Sequence, residues 1–509
     1  MKSFIISFLL FFSSVFYPLL VSAQTCQQAK SMDNEVFKER REILMKQMRD
    51  FSIALIKGGD IVMDNHDDDI PFRQNNNFYY LTGFDNPKAF LILIKDRVSR
   101  SILFTDILPL GNQYDKGPHS VEEVMKATDI DEAYNISEFD KLFGEIVNYI
   151  QVQDEGNKKL TIYYNRLDKD LEKMILDLSK RDIGKDRQSN ITAEISMLDS
   201  LPLIHSMRRI KSCAEIEMLE TAICITGAAI HKTLQGLPSF FHEREIKATL
   251  GYEYALEGAV REGFASISAS GPDTLIVHDT KFGRELREHD MVVLDIGADY
   301  NYYTADISRT VPKNGKFTQE QSDIYTAVLK VQEEIISRIK PGISGMGLHD
   351  QSIKLIAYEL YQLKLITDEK SKWQYLLYYP HGIGHKLGMN VHDVGGWKNP
   401  DDTYATYQEN MVVTVEPGIY VSLLVLEKAK EVLGYFKPFF DDDPTLKFEI
   451  PSDEELKTFK DTVHAAVEKY NEIGVRIEDD ILVTNDGYRN LSGFIPKTIP
   501  DIEALMTGK

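Results

Sequence analysis

Short apolar runs separated by polar segments predict strands in the first 200 residues. The runs FSIALIKGG, AFLILIKD, RSILFTDIL and LTIYY have the length and the aliphatic content of buried strands, and DLEKMILDLSK has the apolar spacing of a helix. Because strands alternate with helices, we predict an α/β domain over residues 24–200. The segment PFRQNNNFYYLTGF is polar and aromatic, and we interpret it as a loop. It either faces a substrate pocket or lies on the surface with its rings tucked underneath.

The remainder of the chain has a different pattern. IKSCAEIEMLETAICITGAAIHKTL predicts one long helix, and HEREIKATLGYEYALEGAV predicts further helix. MVVLDIGADYNYYTADISRTV predicts two strands joined by a turn through Asp299 to Tyr302, and MVVTVEPGIY and VRIEDDILVT predict two more. Since 509 residues exceed what one hydrophobic core usually supports, we place a second domain at residues 201–509.

The first 23 residues predict a targeting segment. Lys2 precedes a long apolar run that ends in Val21, Ser22 and Ala23, which is typical of a cleaved secretory signal. A retained N-terminal anchor is the alternative, because the run is nearly long enough to span a bilayer. No later apolar run approaches that length. We therefore expect an exported protein, periplasmic or secreted, with no membrane span after removal of residues 1–23.

Charge and cysteine content limit the classes of binding partner and the disulfides that the chain can form. Lys and Arg number 58 against 79 Asp and Glu, a formal charge of −21, which argues against binding to nucleic acid or to an anionic membrane surface. Of three cysteines, Cys213 and Cys224 lie on the predicted long helix. Eleven helical positions separate them by about 16 Å, beyond the roughly 7 Å reach of a disulfide. The expected export therefore does not imply a disulfide scaffold.

Four carboxylates lie in apolar strand sequence in the second domain. Asp295 and Asp306 fall on the two arms of one predicted hairpin, Glu416 lies in VTVEPGIY, and Glu478 lies in VRIEDDILVT. A buried carboxylate is costly unless something neutralises it. Each one alone is compatible with a structural ion pair or a strand-end acid. Four together, beside a loop rich in Gly and His, indicate a metal site.

The loop PHGIGHKLGMNVHDVGG supplies three histidines. His381 and His385 have the spacing of a helical zinc-binding pair, but Gly382 and Gly384 disfavour a helix and no Glu follows the first His. We therefore predict an irregular loop, and the residues alone leave open which imidazole binds metal. Four carboxylates with one histidine suit two divalent ions roughly 3.5–4 Å apart. Manganese is the expected ion, and zinc, cobalt or iron also fit.

These motifs resemble those of a known family. IKSCAEIEML, VVLDIGADYNYYTADISRTVPKNGKFTQEQ, HGIGHKLGMNVHDVGG, TVEPGIY, RIEDDILVT and IEALM are similar to motifs of the Xaa-Pro aminopeptidases (aminopeptidase P), pita-bread metallopeptidases of family M24. FRQNNNFYYLTGF resembles their N-terminal domain. The resemblance implies an α/β N-terminal domain of the creatinase/aminopeptidase P type. It also implies an α+β pita-bread catalytic domain with a curved antiparallel sheet.

The resemblance also implies roles for site residues. Asp295 would chelate one metal ion, Asp306 and Glu478 would bridge two ions, and His385 and Glu416 would bind the other. Glu416 would also shuttle a proton during hydrolysis of the bond between an N-terminal residue and a following proline. Four further residues would line the substrate pocket or compensate its charge: His278, His381, His392 and Arg476. The implied partners are peptides with proline at position two, and a homo-oligomer is compatible with the sequence.

Two departures and two rival functions stay open. Glu416 and Glu478 lie 62 positions apart, wider than in compact relatives, and the insert 421–470 either edges the site, contacts another subunit or decorates the surface. Asp279 follows His278 at a position where an aromatic residue is frequent in the family.

A prolidase, which cuts Xaa-Pro dipeptides, shares the five ligands. A non-catalytic binding module of the same fold is less compatible, because such relatives lose metal ligands.

Overall fold

The computed structural model describes most of the chain. The described residues are Cys26 and residues 31–64, 68–69, 71–109, 117–153, 159–180, 194–399, 401–441 and 446–508. The predicted signal segment, residues 1–23, lies outside them. None of the helices in these ranges combines the length and the apolar character needed to cross a membrane.

The N-terminal part is built around one mixed sheet. The strands of the N-terminal part are β1 Ser52–Lys57, β2 Met63–Asp64, β3 Asp68–Asp69, β4 Phe90–Lys95, β5 Arg100–Thr105, β6 Glu132–Asn135, β7 Lys159–Tyr164 and β8 Glu194–Asp199. Its helices are α1 Asn34–Gln47, α2 Asn76–Thr82, α3 Val121–Thr128, α4 Phe139–Gln153 and α5 Lys169–Lys180. In the described residues the main sheet has the order β6-β5-β4-β1-β7-β8, with β2 and β3 forming a separate pair. The four strands and the helix predicted from hydrophobic runs are all present.

Both faces of this sheet are covered, which explains the continuous apolar runs. Along β1, Ile53 and Leu55 enter a core that also contains residues of α4 and α5. Ala54 and Ile56 point the other way and join the large core shared with the C-terminal part. Successive strand residues face opposite sides of a sheet, so a strand buried on both faces lacks polar alternation.

The segment PFRQNNNFYYLTGF is not a loop throughout, and that part of the prediction is wrong. Residues 76–82 form α2, whose first amides are capped by the Asn75 side chain and which ends at Gly83 in a left-handed conformation. Seven residues are too few for the helical repeat to stand out in the sequence. The aromatic Phe78 is fully buried. The segment packs on the C-terminal part: Gln74 N donates to the Tyr302 hydroxyl at 2.9 Å.

The C-terminal part begins with helices and then alternates strand pairs with helices. The helices are α6 Leu201–Arg209, α7 Cys213–Gly236, α8 Glu243–Leu256, α9 Gln319–Ser337, α10 Gly345–Gln362, α11 Leu423–Glu427, α12 Ala429–Phe440, α13 Asp453–Lys469 and α14 Ile499–Thr507. The strands are β9 Arg261–Glu262, β10 Ile267–Ser270, β11 Met291–Ile296, β12 Ala298–Tyr300, β13 Tyr303–Thr304, β14 Ile307–Pro312, β15 Val412–Val415, β16 Gly418–Val421, β17 Ile473–Arg476, β18 Asp479–Val483 and β19 Tyr488–Asn490. The predicted domain boundary near residue 200 falls between β8 and α6.

Strand pairing in the C-terminal part is antiparallel. β11 pairs with β10 and β14, β15 with β18, and β16 with β17. Backbone hydrogen bonds also join these groups of strands to one another. For example, Glu478 N donates to Ser308 O at 3.0 Å. The helices pack on this sheet system around one continuous core. The α+β architecture expected for the second domain is confirmed.

Helix α7 is joined to Cys26 by a disulfide that the sequence reasoning did not identify. Ser212 and Glu215 form a capping box that starts the helix. Cys224, in the middle of α7, is bonded to Cys26, with a Cα–Cα distance of 5.9 Å. The geometric argument excluded only the pair within α7, whereas the partner lies 198 positions earlier in the chain. Cys213 is exposed and, within the described part of the chain, is a free thiol.

Candidate metal centre

Asp295 and Asp306 are brought together by the predicted hairpin. In the antiparallel pair of β11 and β14, Asp295 lies opposite Ser308, and Asp306 directly precedes β14. The short pair of β12 and β13 closes the connection, with Asn301 and Tyr302 in left-handed conformations at φ 47° and 74°. Asp295 and Asp306 are only 9% and 4% exposed. Strand pairing thus forces two carboxylates into one buried region.

Glu416 and Glu478 lie at matching breaks between strands. Glu416 falls between β15 and β16, and Glu478 falls between β17 and β18, while β15 pairs with β18 and β16 with β17. Both side chains therefore leave the sheet at the same level. The Ser308 hydroxyl donates to Glu478 Oε2 at 2.9 Å, which ties this carboxylate to the first hairpin.

His385 is held by backbone contacts in the glycine-rich loop, which is irregular as predicted. Thr414 N donates to His385 O at 2.8 Å, and His385 N donates to Thr414 Oγ1 at 3.1 Å. A Cβ on Gly384 would lie 2.1 Å from Thr414 O, so this approach requires glycine. His385 Nδ1 lies 3.1 Å from Lys386 O, which leaves Nε2 directed at the carboxylates.

His385 Nε2 is the point where the acidic side chains converge. It lies 3.2 Å from Asp306 Oδ2, 3.7 Å from Glu416 Oε1 and 4.0 Å from Glu478 Oε1. Ligand atoms of Asp306, His385 and Glu478 all lie within 4.8 Å of one another, a spacing that fits a shared metal ion. Four of the five predicted ligands thus meet around one imidazole nitrogen.

The fifth, Asp295, is linked to Arg476. Arg476 Nη2 donates to Asp295 Oδ2 at 2.7 Å, its Nε donates to Ser308 Oγ at 3.1 Å, and its Nη1 donates to the Tyr420 hydroxyl at 2.9 Å. The guanidinium is 2% exposed and supplies positive charge beside the carboxylates. Arg476, a predicted site residue, thus forms an ion pair with one of the predicted ligands.

The three remaining histidines surround this cluster at different depths. His381 Nδ1 lies 3.7 Å from Glu416 Oε2, and its Nε2 lies 3.0 Å from the Tyr420 hydroxyl. The ring of His392 is centred 4.2 Å from the ring of His385, and its side chain reaches solvent. His278 is exposed and follows Val277, whose carbonyl accepts from Arg476 Nη2 at 3.3 Å.

The electrostatics of the cluster favour bound cations. Burial raises the pKa of Glu416 to about 7, and burial with neighbouring carboxylates raises the pKa of Asp306 and of Glu478 well above the usual range. Among the described residues, no donor reaches Asp295 Oδ1 or Asp306 Oδ1. Buried oxygens without donors, in a set of carboxylates that resists ionisation, have the chemistry of ligands for hard divalent ions. The residues present therefore fit a metal centre.

His381 is held neutral. Burial, together with the positive charge of Arg476, lowers the pKa of His381 to about 3. A neutral imidazole offers one N–H and one lone pair. Its Nε2 faces the Tyr420 hydroxyl at 3.0 Å and its Nδ1 lies 2.9 Å from Gly382 O, so both ring nitrogens have partners beside the carboxylate cluster.

Three site residues were missed by the sequence reasoning. Tyr420 bonds both Arg476 and His381, Ser308 bonds Glu478 and Arg476, and Asp480 Oδ2 accepts from Asp306 N at 3.1 Å. Ser308 lies two positions after Asp306, and Asp480 two positions after Glu478. The two-residue repeat of a strand could have indicated that each shares a face with its neighbour.

A buried cluster of charged side chains holds the C-terminal end of the histidine loop in place. Asp393, next to His392, accepts from Arg208 Nη2 at 2.7 Å and from Lys211 Nζ at 2.9 Å. Arg208 Nη1 also donates to Asn77 Oδ1 of α2 at 2.6 Å. The loop that carries His381, His385 and His392 is therefore tied to the N-terminal part of the chain.

Comparison with known proteins gives matches along most of the chain. The sequence model described as "Metallopeptidase family M24" matches residues 217–485, and the one described as "Aminopeptidase P, N-terminal domain" matches residues 37–153. An Xaa-Pro aminopeptidase of Escherichia coli is 30% identical over 93% of this chain and 98% of its own length. An Xaa-Pro aminopeptidase of Haemophilus influenzae is 32% identical with the same coverage.

Solved structures give the same picture. A zinc-substituted Escherichia coli aminopeptidase P in complex with product superposes with a TM-score of 0.79 at 29% identity, covering 94% of this chain and 99% of that one. The same enzyme with the inhibitor Pro-Leu also gives a TM-score of 0.79 at 29% identity, with the same coverage. The similarity thus spans the N-terminal sheet as well as the carboxylate and histidine cluster.

Proposed function

The chain belongs to metallopeptidase family M24, and from that premise we propose that it is an Xaa-Pro aminopeptidase dependent on divalent metal ions. Its substrates are peptides with proline at position two, and it releases their N-terminal residue. The observation that carries the proposal is the convergence of Asp306, Glu416 and Glu478 on His385 Nε2, beside Asp295.

Two ions is the stoichiometry that the donor set supports. Asp295, Asp306, His385, Glu416 and Glu478 together offer more oxygen donors than one small ion requires. The family resemblance makes Asp306 and Glu478, whose ligand atoms lie within 4.8 Å of each other and of His385, the candidate bridges. Ions held there would polarise the scissile carbonyl and lower the pKa of a water molecule. Manganese is the ion we expect, because an oxygen-rich site with one imidazole suits it.

The surrounding side chains supply proton transfer and orientation. Glu416, with a pKa raised by burial to about 7, is placed to accept a proton from the attacking water and to return it to the leaving nitrogen. His381, whose Nε2 lies 3.0 Å from the Tyr420 hydroxyl and whose Nδ1 lies 2.9 Å from Gly382 O, borders the cluster and is a candidate for peptide contact. Arg476 holds Asp295 and Tyr420 in position. His278 and His392 are exposed and are candidates for peptide contact.

A site devoted to this bond is chemically reasonable. The peptide nitrogen of proline carries no hydrogen, so peptidases that recognise a backbone N–H donor at this point cannot use it. Recognition must instead come from the shape of the pocket and from contacts to neighbouring groups.

The proposal is tested with the chain from Gln24 onward, loaded with manganese. It is incubated with the dipeptide Ala-Pro and with the tetrapeptide Ala-Pro-Ala-Ala, and the products are identified by mass spectrometry. We expect alanine to be released from the tetrapeptide and Asp306→Asn to abolish this release. Metal analysis should give two ions per wild-type chain and fewer in the variant. Cleavage of the dipeptide alone would make the protein a prolidase, and cleavage of neither substrate would contradict the proposal.

We also propose that the protein is exported after removal of residues 1–23. The disulfide between Cys26 and Cys224 supports this, because disulfides persist in oxidising compartments. Fractionation of the host cell followed by mass spectrometry of the N-terminus tests it. A mature chain that begins at Gln24 outside the cytoplasm is the expected result, and a full-length chain in the cytoplasm would contradict it.

A further inference from the structure

Helix α12 of the insert forms one wall of a cavity that adjoins the metal centre. The cavity has a volume of about 270 Å³. Six residues mark its walls, and we call it the insert pocket: His349, Tyr379, His381, Tyr435, Phe436 and Phe439. The last three come from α12, so the insert does not merely decorate the surface.

We propose that the insert pocket binds an apolar or aromatic side chain of the peptide substrate and makes the enzyme selective for it. This inference rests on the proposed peptidase function and adds a specificity site to it. Clefts that enclose a whole drug-sized ligand measure roughly 300–1,000 Å³. A cavity of about 270 Å³ therefore fits part of a peptide, such as one side chain.

The wall formed by α12 is fixed in place. Ala429 and Leu433 are fully buried and attach the helix to the core. Lys437, one turn further along the same face, donates from Nζ to Phe448 O at 3.1 Å, which ties the helix to the chain that follows it. Because the helix is held along this face, the exposed rings of Tyr435 and Phe439 on its other face form a preorganised surface.

Within the described ranges of the chain, the rim of the pocket exposes aromatic surface. Tyr435 is 67% exposed and Phe439 is 68% exposed, and their ring centres lie 5.6 Å apart. Adjacent exposed rings beside a cavity indicate a binding surface more than single exposed apolar residues do. Rings of this kind supply large contact area at low conformational cost.

The pocket shares His381 with the candidate metal centre, which favours substrate as its occupant. The ring of Tyr379 lies 5.2 Å from that of His381, and the ring of His381 lies 5.6 Å from that of Tyr420. His381 Nδ1 in turn lies 3.7 Å from Glu416 Oε2. A peptide held at the carboxylates would therefore lie close enough to direct a side chain into the pocket.

The lining also indicates the chemistry of that side chain. Among the described residues that line the pocket there is no Asp, Glu, Lys or Arg. A charged side chain or a terminal carboxylate would lose water there without gaining an ion pair. The pocket therefore favours an uncharged, apolar group.

A substrate series tests the inference. Starting from Ala-Pro-Ala-Ala, phenylalanine replaces alanine at position one, three or four, and kcat/KM is measured for the metal-loaded chain. At one of these positions we expect phenylalanine to raise kcat/KM about tenfold, the scale of selectivity that an apolar pocket supplies. We define the selectivity ratio as kcat/KM for the phenylalanine peptide divided by kcat/KM for Ala-Pro-Ala-Ala. The double variant Tyr435→Ser/Phe439→Ser should reduce this ratio to within about twofold of unity.

The control is Phe241→Ser, which replaces an aromatic side chain that is 80% exposed and does not line the pocket. It should keep the wild-type ratio. The single variants Tyr435→Ser and Phe439→Ser, each expected to give an intermediate ratio, replace the double variant if that one does not fold. A wild-type enzyme that cleaves all peptides with equal efficiency would overturn the insert pocket and leave the proposed function intact. An unchanged selectivity ratio in the variants would also overturn it. The same holds if the variants only dissociate a dimer of the chain and leave the selectivity unchanged. Failure to cleave any of the peptides would instead contradict the proposed function.

Discussion

The disulfide between Cys26 and Cys224 allows a quantitative prediction about stability. It closes a loop of 198 residues, which contains almost the whole N-terminal part. In the chain-entropy description, cross-linking a loop of this length removes enough freedom from the unfolded chain to stabilise the fold by about 5 kcal/mol at 25 °C. Removal of native disulfides typically costs about 2–5 kcal/mol. We therefore expect Cys26→Ser to lower the free energy of unfolding by an amount in this range.

The assay is denaturant unfolding followed by fluorescence of Trp373 and Trp397 and by circular dichroism. Wild-type protein is measured with and without a reducing agent, beside Cys26→Ser. Cys213→Ser serves as the matched control, because it also replaces a cysteine of α7 but one that is exposed and free. Reduced wild type should unfold like Cys26→Ser, and the control should unfold like oxidised wild type.

Two results would refute this reasoning. Coincident unfolding curves for the oxidised and reduced wild-type protein would mean that the bond contributes nothing to stability. Equal destabilisation by Cys213→Ser and Cys26→Ser would mean that the effect comes from packing of α7 and not from loop closure.

Three further predictions concern the site and its support. Arg476→Lys keeps the charge but loses the planar fork, so kcat/KM should fall about 10- to 100-fold in steady-state assays, and wild-type activity would contradict a positioning role. Gly384→Ala should destabilise the fold by about 1–3 kcal/mol and weaken metal binding in calorimetry, because its Cβ would meet Thr414 O. Gly382→Ala, which has open space, is the control. Asp393→Asn should cost about 3–5 kcal/mol in thermal or denaturant unfolding, since it leaves two buried cations without their partner.

The same ion cluster gives a pH dependence with a definite sign. Burial opposes the charged form of Asp393, but the charges of Lys211 and Arg208 outweigh it and lower the pKa of its carboxyl group. A group with a lowered pKa stabilises the fold above its unfolded pKa, about 3.9 for Asp, and loses that contribution as pH falls through the folded value. Wild type should therefore lose more stability than Asp393→Asn on acidification below about pH 4.

Much of the fold could be predicted from the sequence because its strands are long and apolar. β1, β4, β5 and β7 are buried on both faces. Their continuous apolar sequences can be recognised as strands without any knowledge of tertiary structure. The hairpin that carries Asp295 and Asp306 was predictable for the same reason. Acidic residues inside an apolar strand then indicated where chemistry would be concentrated.

The features that could not be predicted depend on contacts between distant segments. Helix α2 is too short for its periodicity to be visible, and it is stabilised by its Asn75 cap and by contacts across the two parts of the chain. The partner of Cys224 lies far from it in sequence, so spacing alone gave no signal. The side of the molecule on which α12 packs is likewise set by tertiary contacts, since its aromatic residues are compatible with several environments.

The candidate ligands are drawn from positions 295 to 478, and this distribution has a consequence for folding. Asp295 and Asp306 meet through one hairpin, but Glu416 and Glu478 join them only when β15 to β18 have paired. Contacts that join distant segments form late, because the chain must first lose loop entropy. We therefore expect the centre to assemble in the last stage of folding. A chain that is still unfolded would have no hydrolytic activity, and metal uptake would report that folding is complete.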